Sequence, residues 1–420
     1  MVFVRRSETT LFTSRETNGH ENSTVRLTHR AGLARQFGSG LYALTPTGER
    51  IRQQLIAQVT REMDRIGGQR INLPGLNGSD VWKQSGRWNR FEGEMFTLEN
   101  RDGRQLCLAP SHEEGAVHLL DGVVRSYEDL PCLFYQVESK HRDDHARNGL
   151  LRLKEFTMKD AYSFHASRDS LEQTYDAVRD AYVRLFERLD IEFAITEAAN
   201  SVMGGATSEE FVALADAGTV EVLSCTTDGC RFGLTEESPS LDRSDTDTCP
   251  ECGGTLESGE GIEIGHIFQL GTRYSAAMGL SIDTADGGEC DVVMGSYGIG
   301  VERLIHTLVE QHSDERGCRW PSAVAPYTAA IVPLEYEDEL RAAADRLYEQ
   351  CNSQQTLLFD DESQHIGERF AESDLLGIPH KIVLGTHFLE TGMVELESRD
   401  GHTQYVEPEE VSTLVGSPSE

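Results

Sequence analysis

The chain has 420 residues, enough for two or three domains, and no run of 18 apolar residues that would predict a membrane-spanning helix. Its formal net charge is -33, and only five of its 38 basic residues are lysines. A deeply acidic, lysine-poor surface is typical of proteins that stay hydrated in concentrated salt, so we expect a halophilic source; an ordinary acidic protein would not explain the scarcity of lysine.

The first residues carry neither an apolar segment nor a small-residue cleavage site, so we expect a cytoplasmic protein. The acidic charge by itself disfavours nucleic-acid partners, because phosphates bind lysine and arginine. In molar salt, however, the Debye length falls to about 3 Å, so local arginines matter more than net charge. The charge therefore does not exclude an RNA partner.

Residues 45–68 have the periodicity of an amphipathic helix, with Thr47 as a candidate N-cap and Gly67 and Gly68 at its end. The strand-like segment QRINLPGL follows, with Pro74 near its end. By itself this pattern is also consistent with a buried helix of no further role. Next, QLCLA at residues 105–109 predicts a strand, and residues 170–189 predict a second long helix.

Two segments each present an arginine in a structured setting. Residues 141–165, HRDDHARNGLLRLKEFTMKDAYSFH, place Arg142 before a basic loop and a strand-like run. Residues 295–304, GSYGIGVERL, read as a strand, a glycine turn and a helix that carries Arg303. Because guanidinium groups bind phosphate bidentately, this pair suits a site that holds a polyphosphate at two points.

Four cysteines form two close pairs in a segment rich in glycine and aspartate. The pairs are Cys225 with Cys230 and Cys249 with Cys252. Their spacing favours a structural zinc ion with four thiolate ligands, which leaves no open position for catalysis. A labile disulfide pair and a ribbon that has lost its metal remain the alternatives.

From Tyr327 onward, strands and helices alternate: a strand at TAAIVPL, a helix at 338–351, a strand at TLLFDD, a helix at 366–376 and a strand at HKIVLG. This alternation predicts a separate α/β domain with a small mixed or parallel sheet.

The two arginine segments resemble motifs 2 and 3 of class II aminoacyl-tRNA synthetases, and the helix, strand and proline of residues 45–76 resemble motif 1. The wording KEFTMKDAYSFH is similar to bacterial-type prolyl-tRNA synthetases. The resemblance implies an α+β catalytic domain with an antiparallel sheet at 1–215 and 259–322. The cysteine spacing predicts that a zinc-ribbon-like insert at 216–258 interrupts this domain. The resemblance also implies an anticodon-binding domain at 323–420 and a homodimer formed through motif 1.

The implied reaction is attack of the proline carboxylate on the α-phosphate of ATP, with Mg²⁺ on the phosphates, followed by transfer of proline to the 3′ end of tRNA(Pro). No enzyme nucleophile is needed, so catalysis rests on positioning and charge stabilisation. Arg142 would bridge the α-phosphate and the proline carboxylate, and Arg303 would lie at the γ-phosphate. The implied ATP-binding residues are Arg142, Asp144, Phe156, Gln269, Thr272, Gly298, Gly300 and Arg303.

The resemblance also implies a proline pocket, in which Glu113 accepts a hydrogen bond from the imino nitrogen and so acts with Arg142 and Arg303 as a catalytic residue. The implied pocket residues are Ser111, Glu113, Arg142, Phe164, His165, His266 and Phe268. Either histidine by itself is also consistent with a buried core residue.

The chain departs from the family at several positions. Asp144 stands where a glutamate usually reads adenine, and Arg147 is the only arginine left in the motif 2 loop. Glu362 replaces a basic residue in the C-terminal domain, where Arg369 is a candidate to compensate as a contact to tRNA. Only about 50 residues separate the family-like segments SVMGGATSEEF and IEIGHIFQLGTRYS, so we expect that the editing domain is lacking.

Two other functions stay open. The chain could form an aminoacyl-adenylate but pass it to an acceptor other than tRNA, as the lost arginines suggest. Alternatively it could be a non-catalytic tRNA-binding regulator, although Arg142, Glu113 and Arg303 together argue for catalysis. We expect neither a membrane nor a DNA partner.

Overall fold

The computed structural model describes residues 4–14, 22–89, 94–198, 207–236, 238, 247–351 and 355–416. The chain divides into two compact units. The central unit contains Gly38–Leu41 and Ile56–Thr307, and the terminal unit contains Met1–Phe37, Tyr42–Leu55 and Leu308–Glu420. Within the described ranges, no helix has the length and apolar character needed to cross a membrane.

The described helices are α1 (Ser23–Arg30), α2 (Pro46–Arg65), α3 (Ser79–Gln84), α4 (Glu113–Leu120), α5 (Arg168–Arg188), α6 (Arg273–Met278), α7 (Val301–Gln311), α8 (Asp338–Gln350), α9 (Ile366–Leu376), α10 (Thr386–Thr391) and α11 (Val411–Gly416). The strands are β1 (Val4–Arg5), β2 (Ala34–Gly38), β3 (Leu41–Leu44), β4 (Gln69–Arg70), β5 (Leu76–Gly78), β6 (Thr97–Glu99), β7 (Gln105–Leu108), β8 (Cys132–His141), β9 (Glu155–His165), β10 (Phe193–Glu197), β11 (Thr207–Leu214), β12 (Val220–Cys225), β13 (Phe232–Thr235), β14 (Leu256–Gly271), β15 (Ser281–Asp283), β16 (Glu289–Asp291), β17 (Val293–Gly300), β18 (Ala329–Pro333), β19 (Thr356–Leu358), β20 (His380–Leu384), β21 (Val394–Ser398) and β22 (Thr403–Val406).

The central unit is built on a nine-stranded sheet in the order β11-β10-β13-β12-β14-β17-β9-β8-β4. Strands β14, β17, β9 and β8 pair antiparallel, as expected for the catalytic domain. The pairing sets Gly298 opposite both Asp160 and His266, and the next row sets Ser296 opposite Tyr162 and Phe268. These rows form a continuous surface on which polar side chains meet.

Helix α5 packs on the opposite face of this sheet. It begins at Arg168 because the Ser167 hydroxyl accepts a hydrogen bond from the Ser170 amide, two residues earlier than the periodicity predicts. Its buried stripe includes Tyr175, Val178 and Phe186. Full burial of each such side chain contributes about 1.5–3 kcal/mol.

The cysteine segment differs from the separate insert expected at 216–258. Strands β12 and β13 pair with each other, β12 pairs with β14, and β13 pairs in parallel with β10. The segment therefore extends the central sheet, because β13 pairs along the edge of β10 and β12 pairs along the edge of β14.

The terminal unit has a mixed six-stranded sheet in the order β1-β19-β18-β20-β21-β22. The alternation expected from Tyr327 onward is present, with β18 parallel to both β19 and β20. Strand β1 adds to the edge of β19, with Val4 opposite Leu357. The described residues 4–14 and 22–37 thus lie in the terminal unit, whereas the sequence led us to place 1–215 in the catalytic domain.

The long helix predicted at 45–68 is α2, but its N-cap is Thr45 and not Thr47. The Thr45 hydroxyl accepts from the Gly48 amide at 3.3 Å, and its carbonyl accepts from the Glu49 amide at 2.8 Å. Glycine is required at position 48, since a Cβ there would lie 2.0 Å from the Leu33 carbonyl oxygen.

Candidate active site

A cavity of about 520 Å³ lies over β9, β14 and β17 of the central sheet. This volume suits a small-molecule site. Most of the sequence-predicted site residues line it, namely Ser111, Glu113, Arg142, Asp144, Arg147, Phe156, His266, Phe268, Gly298, Gly300 and Arg303.

The two-residue alternation of β9 decides which of its side chains reach the cavity. Phe156, Asp160 and Tyr162 line it. Lys159, between them, is buried on the other face and donates to the Tyr182 hydroxyl of α5 at 2.6 Å. Burial lowers the pKa of Lys159 to about 7.

Arg142 follows β8, where its backbone amide donates to the Lys154 carbonyl at 2.8 Å and so closes the base of the loop between β8 and β9. Its Nε donates to the Pro110 carbonyl at 3.3 Å, and its guanidinium carbon lies 5.5 Å from the centre of the Phe156 ring. Burial lowers the pKa of Arg142, yet an arginine stays charged at any working pH. The cavity therefore holds a fixed cation beside an aromatic ring.

Arg303 lies in the first turn of α7, directly after β17. Its Nη1 donates to the Glu263 carbonyl at 2.7 Å and to the Glu263 carboxylate at 3.0 Å. The His266 Nδ1 lies 3.3 Å from the same carboxylate. Although burial favours the neutral acid, the His266 hydrogen bond and the Arg303 charge hold the pKa of Glu263 well below its usual range.

Glu113 begins α4, and its carboxylate is held from two sides. Ser296 of β17 donates to its Oε1 at 3.0 Å, and Arg87 donates to its Oε2 at 3.0 Å. Burial would raise the pKa of Glu113, but the charge of Arg87 together with hydrogen bonds from Ser111, Arg87 and the backbone lowers that pKa. Glu113 thus presents a negative charge to the cavity.

Sequence reasoning missed Arg87, Ser296 and Glu263. Arg87 also donates to the Ser111 hydroxyl at 3.0 Å, so it contacts both members of the Ser-x-Glu loop. Its position in the sequence, SGRW, carries no periodic or spacing signal. Glu263 lies three residues before His266 on β14. The resemblance implied roles for other residues of this strand and none for Glu263.

The rim of the cavity carries the motif 2 loop. Asp144, expected to read adenine, forms an ion pair with Arg152. Arg147 is exposed there. Gly298 lies on the floor, where an added Cβ would meet nothing nearer than the Met158 sulfur at 3.7 Å. Packing therefore does not require glycine at 298, and its missing side chain leaves room for a ligand.

Four residues expected at ATP or proline are not among the lining residues. Phe164 is fully buried in an apolar cluster that contains Leu270 and Met294. His165 occupies the face of β9 opposite Tyr162, its Nδ1 lies 2.9 Å from the Ser170 hydroxyl, and burial lowers its pKa to about 4. The remaining two are Gln269 and Thr272, the latter the residue before α6.

Arg369, a candidate contact to tRNA, is only 2% exposed in the terminal unit. Its guanidinium donates to the carbonyls of Pro333 at 2.6 Å and Asp361 at 2.7 Å. The structure therefore assigns it a structural role, since a buried group that already binds backbone oxygens does not reach a phosphate.

The four cysteines converge as the zinc interpretation requires. Their sulfur atoms all lie within 4.8 Å of one another, with Cys225 and Cys252 3.4 Å apart and Cys230 and Cys249 3.8 Å apart. Tetrahedral zinc with bonds of about 2.3 Å separates its sulfur ligands by about 3.8 Å, whereas a disulfide bond is about 2.05 Å long. The geometry fits a metal and not a disulfide pair.

Residues 96–312 match the family described as tRNA synthetase class II core domain (G, H, P, S and T), and residues 328–416 match the anticodon binding domain. The chain is 36% identical over 395 residues to a proline–tRNA ligase of Rhizorhabdus wittichii, covering 89% of this chain and 90% of the relative. It is 30% identical to one of Halothermothrix orenii over an alignment of 524 residues, covering 90% and 92%.

Among solved structures, the prolyl-tRNA synthetase of Cryptosporidium parvum in complex with L-proline and AMP matches with a TM-score of 0.75 at 14% identity, covering 94% of this chain and 74% of that chain. At this identity the likeness shows the fold. The two family matches confirm the expected catalytic core and anticodon-binding domain. The chain belongs to the proline–tRNA ligase family of class II aminoacyl-tRNA synthetases.

Proposed function

We propose that the cavity activates proline with ATP and that the chain then transfers proline to the 3′ end of tRNA(Pro). The observation that carries this proposal is the presence of Glu113, Arg142 and Arg303 in one cavity. The pairing of one fixed carboxylate with two fixed guanidiniums matches a cationic amine, a carboxylate and a polyphosphate.

In this proposal the secondary ammonium of proline donates to Glu113 beside the Ser111 hydroxyl. A carboxylate oxygen of proline attacks the α-phosphorus of ATP. The bond between the α-phosphorus and the oxygen that bridges to the β-phosphate breaks, and pyrophosphate leaves. Arg142 neutralises charge on both the carboxylate and the α-phosphate in the transition state. Fixed cations stabilise this charge without reorganising during the reaction.

The ATP end of the cavity follows from the remaining groups. Phe156 offers a ring face to adenine, and Arg303 lies where a bent triphosphate would end. Glu263 and Glu210 offer carboxylate oxygens close to His266, which is the donor chemistry that Mg²⁺ prefers. When bound, Mg²⁺ would neutralise phosphate charge.

The exposed Arg147 at the rim is the contact we propose for the acceptor end of tRNA. The anticodon domain would bind through surface residues other than Arg369. The cysteine cluster would hold one structural zinc ion beside the paired ends of β12 and β14.

The alignment with the Halothermothrix orenii ligase is longer than this entire chain, so that relative carries a segment for which this chain has no counterpart. This supports the proposal that an editing domain is lacking. The acidic, lysine-poor composition supports function in concentrated salt, and the family's motif 1 supports a homodimer. As is general for aminoacyl-tRNA synthetases, we place the protein in the cytoplasm.

The test is proline-dependent exchange between ATP and pyrophosphate in molar potassium chloride, followed by charging of tRNA in the same preparation. We expect both activities, with exchange lost in Arg142→Ala. Exchange without charging would favour a paralogue with a different acceptor. Absence of exchange with any amino acid would favour a non-catalytic tRNA-binding protein.

A further inference from the structure

Beneath the Ser-x-Glu loop lies a buried arginine to which the proposed mechanism gives no role. We propose that Arg87 is a positioning residue, which holds the side chains of Ser111 and Glu113 in the orientation and charge state that bind the secondary ammonium of proline. This inference rests on the proposed function, because it concerns recognition of the same substrate.

Arg87 binds the side chains of both Ser111 and Glu113 and is itself packed near two aromatic rings. Its Nη1 donates to Glu113 at 3.0 Å, and its Nη2 donates to Ser111 at 3.0 Å. The guanidinium carbon lies 5.0 Å from the centre of the Trp82 ring and 5.4 Å from that of Tyr274. A planar fork between two rings fixes the relative positions of the two loop side chains, which a lysine could not do.

Arg87 also serves a second carboxylate. Its Nη1 donates to Glu114 at 3.0 Å, and the Ser85 hydroxyl donates to Glu114 at 2.6 Å. Arg87 and Glu114 are both essentially inaccessible to solvent. Since one guanidinium faces two carboxylates, it offsets the charge of only one of them.

The pKa values of the two carboxylates are shifted in opposite directions. Burial raises the pKa of Glu114, whereas the charge of Arg87 lowers the pKa of Glu113 against the effect of burial. Glu113 therefore keeps the negative charge that a secondary ammonium needs. The charged and titratable groups that face Glu113 are Arg87, Glu114, Arg142, Tyr162 and Tyr274.

Removal of Arg87 would leave two buried carboxylates without their shared cation. Protonation of Glu113 would then become favourable at higher pH, and a neutral carboxyl no longer attracts the ammonium. ATP binding should be spared, because a backbone carbonyl and Glu263 hold the two ATP-site arginines, Arg142 and Arg303 respectively.

The experiment compares wild type, Arg87→Gln and Arg87→Lys by proline-dependent exchange between about pH 6 and about pH 8.5. Glu114→Gln is a control in the same cluster, and Arg184→Gln is a control for loss of an arginine that pairs with a buried glutamate, Glu62, away from the cavity. Thermal unfolding of each variant reports on folding.

We expect kcat/KM for proline to fall by about 100-fold in Arg87→Gln, with KM for ATP unchanged. In that variant kcat/KM for proline should also decrease as pH falls, whereas wild type and both controls show no such decrease. If Arg87→Gln does not fold, Arg87→Lys, which keeps the charge but loses the fork, should show a raised KM for proline with the wild-type pH profile.

An unchanged KM for proline and a flat pH profile in a folded Arg87 variant, alongside normal exchange by wild type, would overturn the role of Arg87 alone. Equal losses for proline and ATP would also overturn it, since they would indicate a general structural defect. Failure of wild type to catalyse exchange with proline would instead overturn the proposed function.

Discussion

Arg303 binds Glu263 twice, through the backbone carbonyl at 2.7 Å and through the side-chain carboxylate at 3.0 Å. The arginine that we propose to meet the γ-phosphate is thus held by an acid in the same cavity. A triphosphate beside that acid would experience repulsion unless a divalent cation lies between them. The pair therefore connects the orientation of Arg303 with the Mg²⁺ that we propose for this site.

Replacement of Glu263 by glutamine should raise the Mg²⁺ concentration needed for half-maximal exchange, because a carboxylate ligand is lost. We expect a shift of roughly tenfold, with partial recovery at high Mg²⁺. Glu257→Gln, an exposed change on the same strand, is the control. The same Mg²⁺ dependence in both variants would remove Glu263 from the proposed metal site.

Arg147→Ala should weaken tRNA charging without changing amino-acid activation, because its side chain lies exposed at the cavity rim. We expect KM for tRNA to rise roughly fivefold to tenfold, and more in lower salt, where phosphate contacts contribute most. Steady-state charging and exchange assays measure the two steps separately. Arg168→Ala, at an exposed residue that begins α5, should change neither, and loss of exchange in Arg147→Ala would contradict this assignment.

Protein purified without chelators should contain about one zinc ion per chain, and Cys249→Ser should abolish it. Cys249 is buried beside Leu234 and Leu256, so loss of the metal should also lower the melting temperature. Metal analysis and thermal unfolding test both statements. Cys132→Ser, outside the cluster, should keep its zinc; wild-type protein free of zinc would refute the site.

Stability should fall as pH decreases from about 6.5 to about 4, because buried His165 must stay neutral. Its pKa in the folded chain is lowered to about 4, so between these pH values the unfolded chain binds more protons than the folded chain. Protonation therefore favours the unfolded state and lowers the free energy of unfolding. The full effect is about 3 kcal/mol. His165→Gln should reduce the pH dependence of the free energy of unfolding, which denaturant titrations measure. KM for proline should stay at its wild-type value. A raised KM for proline in this variant would indicate that His165 contacts proline after all.

Added alanyl-tRNA(Pro) should persist in the presence of the enzyme beyond its spontaneous hydrolysis. The reason is that the chain has no counterpart for the extra segment of the longer relative. Release of free alanine is the measurement, with enzyme omitted as the control. Rapid deacylation would show that an editing activity resides elsewhere in the chain.

Local patterns in the sequence predicted the order of elements well. The strands β7, β18 and β20 follow from short apolar runs, and the helices α5, α8 and α9 follow from periodicity, because each helix buries one face. The spacing of the four cysteines likewise indicated a cluster that does converge. What periodicity could not show was the addition of β1 to β19, because that pairing joins residues more than 350 positions apart.

The sequence by itself determined the family, the arginines of motifs 2 and 3 and the Ser-x-Glu loop, because these depend on residue identity at fixed spacing. Only the tertiary structure decided which side chains share the cavity. Strand alternation places His165 on the face of β9 away from the cavity, and long-range packing places Arg87 against Glu113. In the terminal unit, burial against backbone carbonyls argues against the tRNA contact expected of Arg369. Contact between distant segments depends on register and packing, and neither is written in any short stretch of sequence.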